Sequence, residues 1–468
     1  MLELIYNREL HEECGVFGVF NVKDASNLSY YGLHALQHRG QEGCGIVTAN
    51  DVSLIGHKNE GSVRSVFTEP VLKKLTGHHA IGHVRYSTSG GGGFLNVQPF
   101  LFRHGSGDFA LCHNGNIVNS NELKLLLENS GSIFQSSSDT EILAHLLMSD
   151  PRMKRIDAIK EALIYMEGAF AFLILTKDKL YAMRDRHGLR PLSIAKLGDG
   201  YVVSSETCAF DAIGAQFERD VLPGEIVTFS TAGVSSDFYS KDVNHKLCAM
   251  EYIYFSRPDS DLLGLNVHRF RKESGRILAE EAPVDADIVI GVPDSSLSAA
   301  SGYAEASGIP YEMGLIKNKY SGRTFIEPSQ SLREKGVKMK LSPVRSIVKG
   351  KRVLLIDDSI VRGTTSKQIV QMLKEMGATE VHMRIASPPI IAPCFYGVDT
   401  STYEELISAF NDPEAVRKLI GADSLAFLSM EGLQKAAGDR GLCQACFNKN
   451  YPTHLYQEIK NANKDGKF

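Results

Sequence analysis

The string VLLIDDSIVRGTTS, residues 353 to 366, narrows the choice of fold more than any other stretch of this 468-residue chain. An aliphatic run leads into two adjacent carboxylates, Asp357 and Asp358, and a turn of small residues opens at once into a helical pattern. Such a run, apolar without alternation, reads as a strand buried on both faces, which places it in a parallel sheet covered by helices. Ile369, Met372, Leu373 and Met376 then recur at helical spacing, and Gly377 stops the helix. Upstream, ADIVIGVPDSS follows the same plan of strand and turn. Strand, helix and strand in this order predict an α/β domain with a parallel sheet over residues 260 to 408. A mostly helical extension, 409 to 468, is expected to pack onto it.

A helix that begins directly after a strand presents unpaired N–H groups, and these bind phosphate. Gly363, Thr364 and Thr365 supply close approach and hydroxyls, while Asp357 and Asp358 can take ribose hydroxyls or Mg²⁺. The plainer alternative is a capped helix behind two solvated acids. The string as a whole closely resembles the phosphoribosylpyrophosphate-binding motif of type I phosphoribosyltransferases. By that resemblance GVPDSS, 291 to 296, forms the pyrophosphate-side turn, with Ser295 beside the Mg²⁺. The segment from 317 to 340 carries seven Lys or Arg against two Glu, and a basic loop of this kind could close over a polyphosphate and exclude water. For any single lysine there, a solvated surface position is the simpler reading.

Residues 14 to 235 have another texture, with short apolar runs such as CGVFGVF, DFALCHNGNIV and GAFAFLILT between turn glycines and two amphipathic helical segments. Cys14 stands at the start of the first run, behind the acidic leader MLELIYNRELHEE. If Cys14 were a mature N-terminus, its α-amino group, with a reference pKa of roughly 7.7 to 8.0, could take the thiol proton. CHNGN offers the Asn114 amide and the Gly115 N–H, read here as lying on a tight turn, for an oxyanion. HVRYSTSG offers Arg85 for a substrate carboxylate, and SSSDTE offers Asp139 for a substrate ammonium. Each residue alone has an ordinary reading: a core thiol, a turn asparagine, a surface ion pair, a helix cap.

Together ECGVFG, HRGQEG, HVRYST, HNGN and SSSDTE resemble the glutaminase domain of N-terminal-nucleophile amidotransferases. The resemblance implies an α+β N-terminal-nucleophile hydrolase sandwich (αββα), followed by the α/β type I phosphoribosyltransferase domain. It makes Cys14 the nucleophile, Asn114 and Gly115 the oxyanion hole, Arg85 and Asp139 the holders of glutamine, and 87 to 93 a lid. The two domains in one chain resemble the glutamine phosphoribosylpyrophosphate amidotransferases over essentially the whole sequence. That family implies glutamine hydrolysis through a Cys14 thioester, an internal ammonia channel, and displacement of pyrophosphate from phosphoribosylpyrophosphate to give 5-phosphoribosylamine, the committed step of purine synthesis. It further implies one Mg²⁺ per subunit held near Ser295, Asp357 and Asp358, a homotetramer, and feedback inhibition by purine nucleotides.

Cys248, Cys394, Cys443 and Cys446 lie outside both sites, the last two in GLCQACF. A CxxC pair lets two thiolates hold one centre, and two distant cysteines complete four ligands, so spacing leaves zinc and iron–sulfur both open. The resemblance selects a 4Fe-4S cluster, because the branch of the family that carries one at these positions also has a cleaved leader, here residues 1 to 13. Cys44, Cys112 and Cys208 read as packing residues, and His83 and His113 as structural. The leader does not look like a secretory signal, so the eight cysteines are expected to be reduced and the chain cytoplasmic. A net charge of −4 gives no reason to expect nucleic acid, and no apolar run is long enough for a bilayer. Delivery of ammonia to another acceptor is disfavoured by VLLIDDSIVRGTTS, and a purely regulatory phosphoribosylpyrophosphate sensor by the complete glutaminase set.

Overall fold

Strand Gly15–Phe20 is buried on both faces, and its alternation shows what each face meets. Val16 and Phe20 join a core with Ala110, Leu173 and Val227, while Phe17 and Val19 join another with Leu33, Leu36 and Phe210. Burying a side chain such as Phe17 contributes ~1.5–3 kcal/mol. The first core is the seam between two sheets: a Cβ on Gly18 would lie 3.1 Å from Leu173 of the facing sheet. The second lies under helix Ala25–Ala35, where a Cβ on Gly32 would come within 2.3 Å of the Phe17 ring.

These descriptions come from a computed structural model that describes residues 14–86, 93–105, 107–150, 152–318, 341–400 and 402–455. The leader 1–13, most of the expected lid and most of the basic loop fall outside the described residues.

The seven-stranded sheet runs in the order Gln216–Asp220, Ser193–Leu197, Gly200–Ser204, Gly15–Phe20, His79–Arg85, Gly43–Ala49, Leu54–Glu60. The six-stranded sheet, in which Gly168–Leu175 pairs with Lys179–Arg184 on one side and Phe109–Ile117 on the other, packs against it and is covered outside by helices Ser120–Asn129, Thr140–Leu147 and Arg155–Tyr165. Helix, sheet, sheet and helix give the αββα sandwich, and its last strand, Gly233–Phe238, runs past residue 235. Cys44, Cys112 and Cys208 are buried in its cores.

The second half is built on four parallel strands in the order Ile288–Gly291, Arg352–Asp357, Glu380–Ile385, Ser424–Phe427. Val353 and Leu355 face one core and Leu354 and Ile356 the other, which is why that strand shows no alternation. Helices Val267–Glu281 and Leu297–Ser307 touch backbone to backbone, since a Cβ on Gly275 or Gly302 would fall 1.9 Å from a carbonyl oxygen of the other helix.

The stretch expected to be mostly helical also supplies strand Ser424–Phe427 and the two residues Leu442–Cys443, which pair in parallel with Leu247–Cys248. Segments this short carry too few residues to display a period. The two ends of the basic loop pair as an antiparallel ribbon, Leu315–Lys317 with Leu341–Pro343. Among the described residues no helix is long and apolar enough to cross a membrane.

Candidate functional sites

Cys14 immediately precedes the central strand of the first sheet, and its Sγ lies 3.5 Å from the Tyr86 carbonyl oxygen. Desolvation pushes its thiol pKa up, the Tyr86 contact and the charges of Arg85 and Arg39 oppose this, and Asp139 adds to it. The thiol thus sits within electrostatic reach of both residues expected to hold glutamine.

Arg85 ends strand His79–Arg85 and is buried. Gly40, from HRGQEG, lets the preceding turn approach closely: a Cβ there would be 2.6 Å from the Arg85 carbonyl carbon. Asp139 occupies the N-cap position of helix Thr140–Leu147 yet makes no side-chain cap bond. Instead its Oδ2 accepts from the Ile117 N–H at 2.9 Å, and Oδ1 lies 3.6 Å from His113 Nδ1. Burial opposes its ionisation, but His113 and the Ile117 N–H prevail and hold the carboxyl below the usual range.

Asn114 and Gly115 lie inside strand Phe109–Ile117 rather than on a tight turn, because the strand continues through them in register with Ala171 and Phe170. Gly115 has φ +137°, and a Cβ there would fall 2.0 Å from the Ala169 oxygen, so both conformation and space demand glycine. The Asn114 amide is fully buried, with Nδ2 3.4 Å from Ser205 Oγ, which also accepts from Val16 N. His83 and His113 are buried behind this edge: His83 Nε2 lies 2.9 Å from the His113 oxygen, and His113 stacks on Phe172 at 4.3 Å. Burial drives the His83 pKa down to about 3, which keeps its ring neutral.

Two groups of residues that sequence reasoning missed hold this site together. The segment Asn96–Gln98 accepts from His113 N through Gln98 Oε1 at 2.7 Å and from Ser137 N through Asn96 Oδ1 at 3.1 Å. Arg39, in HRGQEG, is buried; its Nε donates to the Cys14 carbonyl at 3.1 Å, and its other nitrogens donate to Glu206 at 2.7 Å and to Glu251 at 2.8 and 2.9 Å. Burial opposes the charges of Arg39 and Glu206, but their ion pairs outweigh it. Glu251 also receives Arg190, which donates to the Tyr396 carbonyl. Asn116 donates to the Phe395 oxygen at 3.0 Å, so the oxyanion strand touches the same loop. The motif identified Arg39 as part of a pattern; its partners, 167 and 212 positions away, left no local signal.

That loop carries Cys394. Cys248, Cys394, Cys443 and Cys446 line one small cavity with Met250, Ile390 and Tyr396. Register places Cys248 opposite Cys443, and the Cys446 oxygen accepts from Ile391 and Ala392, which brings in the Cys394 segment. Burial raises the thiol pKa of Cys248 to about 11 and that of Cys446 well above its ordinary value, the neighbouring sulfurs adding to the effect on each. Four soft donors in one largely apolar cavity fit a metal centre. Among the described residues no three His, Cys, Asp or Glu are gathered around a position for a single ion.

In the parallel sheet Asp357 ends strand Arg352–Asp357 and Asp358 follows it directly. Ser296 donates to Asp357 at 3.1 Å, Ser359 donates to Asp358 at 2.7 Å, and Ser295 also donates to Asp358. Burial raises both carboxyl pKa values, and for Asp357 the charge of Asp358 adds to this. Two carboxylates that repel each other fit Mg²⁺, which is commonly held by one or two carboxylates together with substrate phosphates. Gly363 caps helix Thr364–Glu375 at φ +76°, with Thr364 and Thr365 in its first turn. Behind Asp358 stands buried Arg271, bonded to the Tyr252 and Ser256 oxygens at 2.7 and 2.8 Å. Lys317, the start of the basic segment, pairs with Asp294 of the GVPDSS turn at 2.8 Å.

Residues 93–212 match the family model of a glutamine amidotransferase domain, and residues 270–386 that of a phosphoribosyl transferase domain. An amidophosphoribosyltransferase of Bacillus subtilis is 58% identical over 456 residues, covering 96% of each chain. One from Staphylococcus aureus is 51% identical over 455 residues, covering 96% of this chain and 92% of its own. A solved glutamine phosphoribosylpyrophosphate amidotransferase from B. subtilis, complexed with ADP and GMP, matches with a TM-score of 0.91 at 57% identity, covering 95% of this chain and 98% of the other. A second solved structure, described as the allosteric regulatory enzyme of purine biosynthesis, matches with a TM-score of 0.92 at 57% identity, covering 95% and 97%.

Proposed function

The chain belongs to the amidophosphoribosyltransferase family, and from that premise we propose how its residues divide the reaction. Members transfer the amide nitrogen of glutamine to phosphoribosylpyrophosphate in purine biosynthesis. In this chain the Cys14 thiol attacks the glutamine amide carbon, and the α-amino group freed by removal of residues 1–13 takes the thiol proton. While Glu13 is attached that nitrogen is an amide and cannot serve as a base. The Asn114 amide and Gly115 N–H hold the oxyanion, Arg85 takes the substrate carboxylate and Asp139 its ammonium. Ammonia leaves, and water hydrolyses the Cys14 thioester to release glutamate.

Ammonia then travels inside the protein, away from water, to the end of the parallel sheet. There it displaces pyrophosphate from C1 of the ribose. Gly363, Thr364 and Thr365 hold phosphate at the helix N-terminus, and Asp357 and Asp358 orient the ribose hydroxyls. Mg²⁺, carried by Asp357, Asp358 and the neighbouring Ser295, would supply positive charge to the departing pyrophosphate. Cys248, Cys394, Cys443 and Cys446 would hold a 4Fe-4S cluster as a structural cross-link between the extension and the rest of the chain. Four thiolates serve zinc or iron–sulfur alike, and the choice of a cluster follows the branch of the family in which it accompanies a cleaved leader.

The same reading includes a homotetramer in the cytoplasm and feedback by purine nucleotides, the last in line with the ADP and GMP bound to the B. subtilis protein. One observation carries the whole: residues expected to split glutamine and residues expected to hold phosphoribosylpyrophosphate stand in one chain, joined by the buried ion pairs of Arg39, Glu251 and Arg190. Purified protein given Mg²⁺, phosphoribosylpyrophosphate and glutamine should release glutamate and pyrophosphate in equal amounts. Glutamate without pyrophosphate would point to another acceptor. N-terminal sequencing should begin at Cys14, and anaerobically purified protein should contain about four irons per chain.

A further inference from the structure

We infer that Lys58 is a positioning residue for glutamine, acting by clamping the segment that holds the oxyanion strand and the Asp139 loop in register. The inference rests on the glutaminase reading above and names a residue that reading does not use. Lys58 lies on Leu54–Glu60, the edge strand of the seven-stranded sheet, where a lysine could extend into water. Instead its Nζ donates to the Val97 carbonyl at 2.5 Å and stands 4.8 Å from the centre of the Phe100 ring and 5.5 Å from that of Phe94. A cation over two rings and on one carbonyl is held at three points.

What it holds is the span between Phe94 and Phe100. On one side of Val97, Asn96 bonds to both N and Oγ of Ser137, two residues before Asp139. On the other side, Gln98 accepts from His113 N, next to Asn114, and donates to Thr140 Oγ1 at 3.0 Å, next to Asp139. Val97 is therefore the midpoint of a strap between the oxyanion strand and the ammonium-binding loop. The surroundings oppose the lysine charge: burial and nearby Arg85 pull its pKa down to about 8, with Glu141 acting in its favour. An apolar side chain would pack there without that opposition, so the cation is retained for what it grips.

Lys58→Met keeps the stem and removes the grip. The glutamine KM, read from glutamate release, should rise about tenfold, the size of one lost charge-assisted hydrogen bond. Pyrophosphate release driven by added ammonium chloride, which bypasses the first site, should stay at the wild-type rate. Lys58→Arg, which keeps a cation over the rings and a donor on the carbonyl, should return KM to within about threefold of wild type. An unchanged KM in Lys58→Met, or equal losses in the glutamine- and ammonia-driven rates, overturns the inference while leaving the functional reading intact. Wild-type protein that releases pyrophosphate from neither nitrogen source overturns both.

Discussion

At the glutamine site, Arg85, Asn114 and Asp139 come from separate segments that are tied to one another by backbone register and by Asn96, Gln98 and Arg39. At the phosphoribosyl site, Asp357 and Asp358 are neighbours on one strand end, held by serine hydroxyls and raised in pKa by burial. The first site is assembled from several segments of one domain whose side chains and backbone bond to one another. The second places two adjacent carboxylates at one strand end, each taking a hydroxyl from a turn 61 or 63 positions earlier, Asp357 from Ser296 and Asp358 from Ser295. Cross-bracing among several segments fixes the geometry that covalent chemistry needs, while two adjacent buried acids make a site whose charge is sensitive to what binds there.

The sharpest test of this contrast is to remove one site and follow the other. Cys14→Ala should lower glutamine-driven pyrophosphate release by at least about 10⁴-fold and leave the ammonia-driven rate near wild type. If both rates fell together, the two sites would not be separable in this way. Next in size is the tie between the halves. Glu251→Gln leaves Arg39 and Arg190 buried beside a neutral group and should destabilise the chain by ~3–5 kcal/mol in urea unfolding. A loss below about 1 kcal/mol would mean that Glu206 and backbone oxygens suffice for both arginines.

At the second site, Asp357→Asn should lower glutamine- and ammonia-driven synthesis alike, by about 10²-fold, with glutamate release persisting. Chelation of Mg²⁺ should reproduce that pattern in the unaltered protein. The smallest effect belongs to Glu141, which accepts from Gln135 N, Ser136 N and Ser136 Oγ, each within 2.8 Å, and so shapes the loop that carries Asp139. Burial opposes its ionisation, but hydrogen bonds from His145, Ser136 and Gln135 bring its pKa down from 4.5 to about 2. A depressed carboxyl pKa contributes stability that is present above about pH 4.5 and is lost as pH falls toward 2. The urea midpoint of Glu141→Gln should therefore lie below wild type at pH 7 and converge with it near pH 2.

Much of both sites was legible because their chemistry is carried in short contiguous strings. VLLIDDSIVRGTTS holds strand, carboxylates, turn and helix start in register with one another, and the structure places them as the string implies. HNGN was read as a turn because Asn and Gly together signal one. Only pairing with Gly168–Leu175 reveals a strand that tolerates Gly115 at positive φ. Ser424–Phe427 escaped notice because four half-buried residues show no period, and it is defined by its neighbour Glu380–Ile385. Asn96 and Gln98 look like loop polar residues until their partners, 15 to 42 positions away, are in view.

The sequence by itself determined the residue types that chemistry requires: a thiol at Cys14, paired acids at 357 and 358, a glycine at 115, and cysteines enough for a centre. It also determined two unlike domains through the change from short strand-rich runs to buried aliphatic strands. Tertiary structure alone decided that Arg39 grips the Cys14 carbonyl and Glu251 at once, that Asp139 turns from its own helix to Ile117, and that four distant cysteines share a cavity. Hydrogen bonds and ion pairs of this kind act over about 3 Å in space and are indifferent to separation along the chain. A linear pattern records which groups are present; folding decides which of them meet.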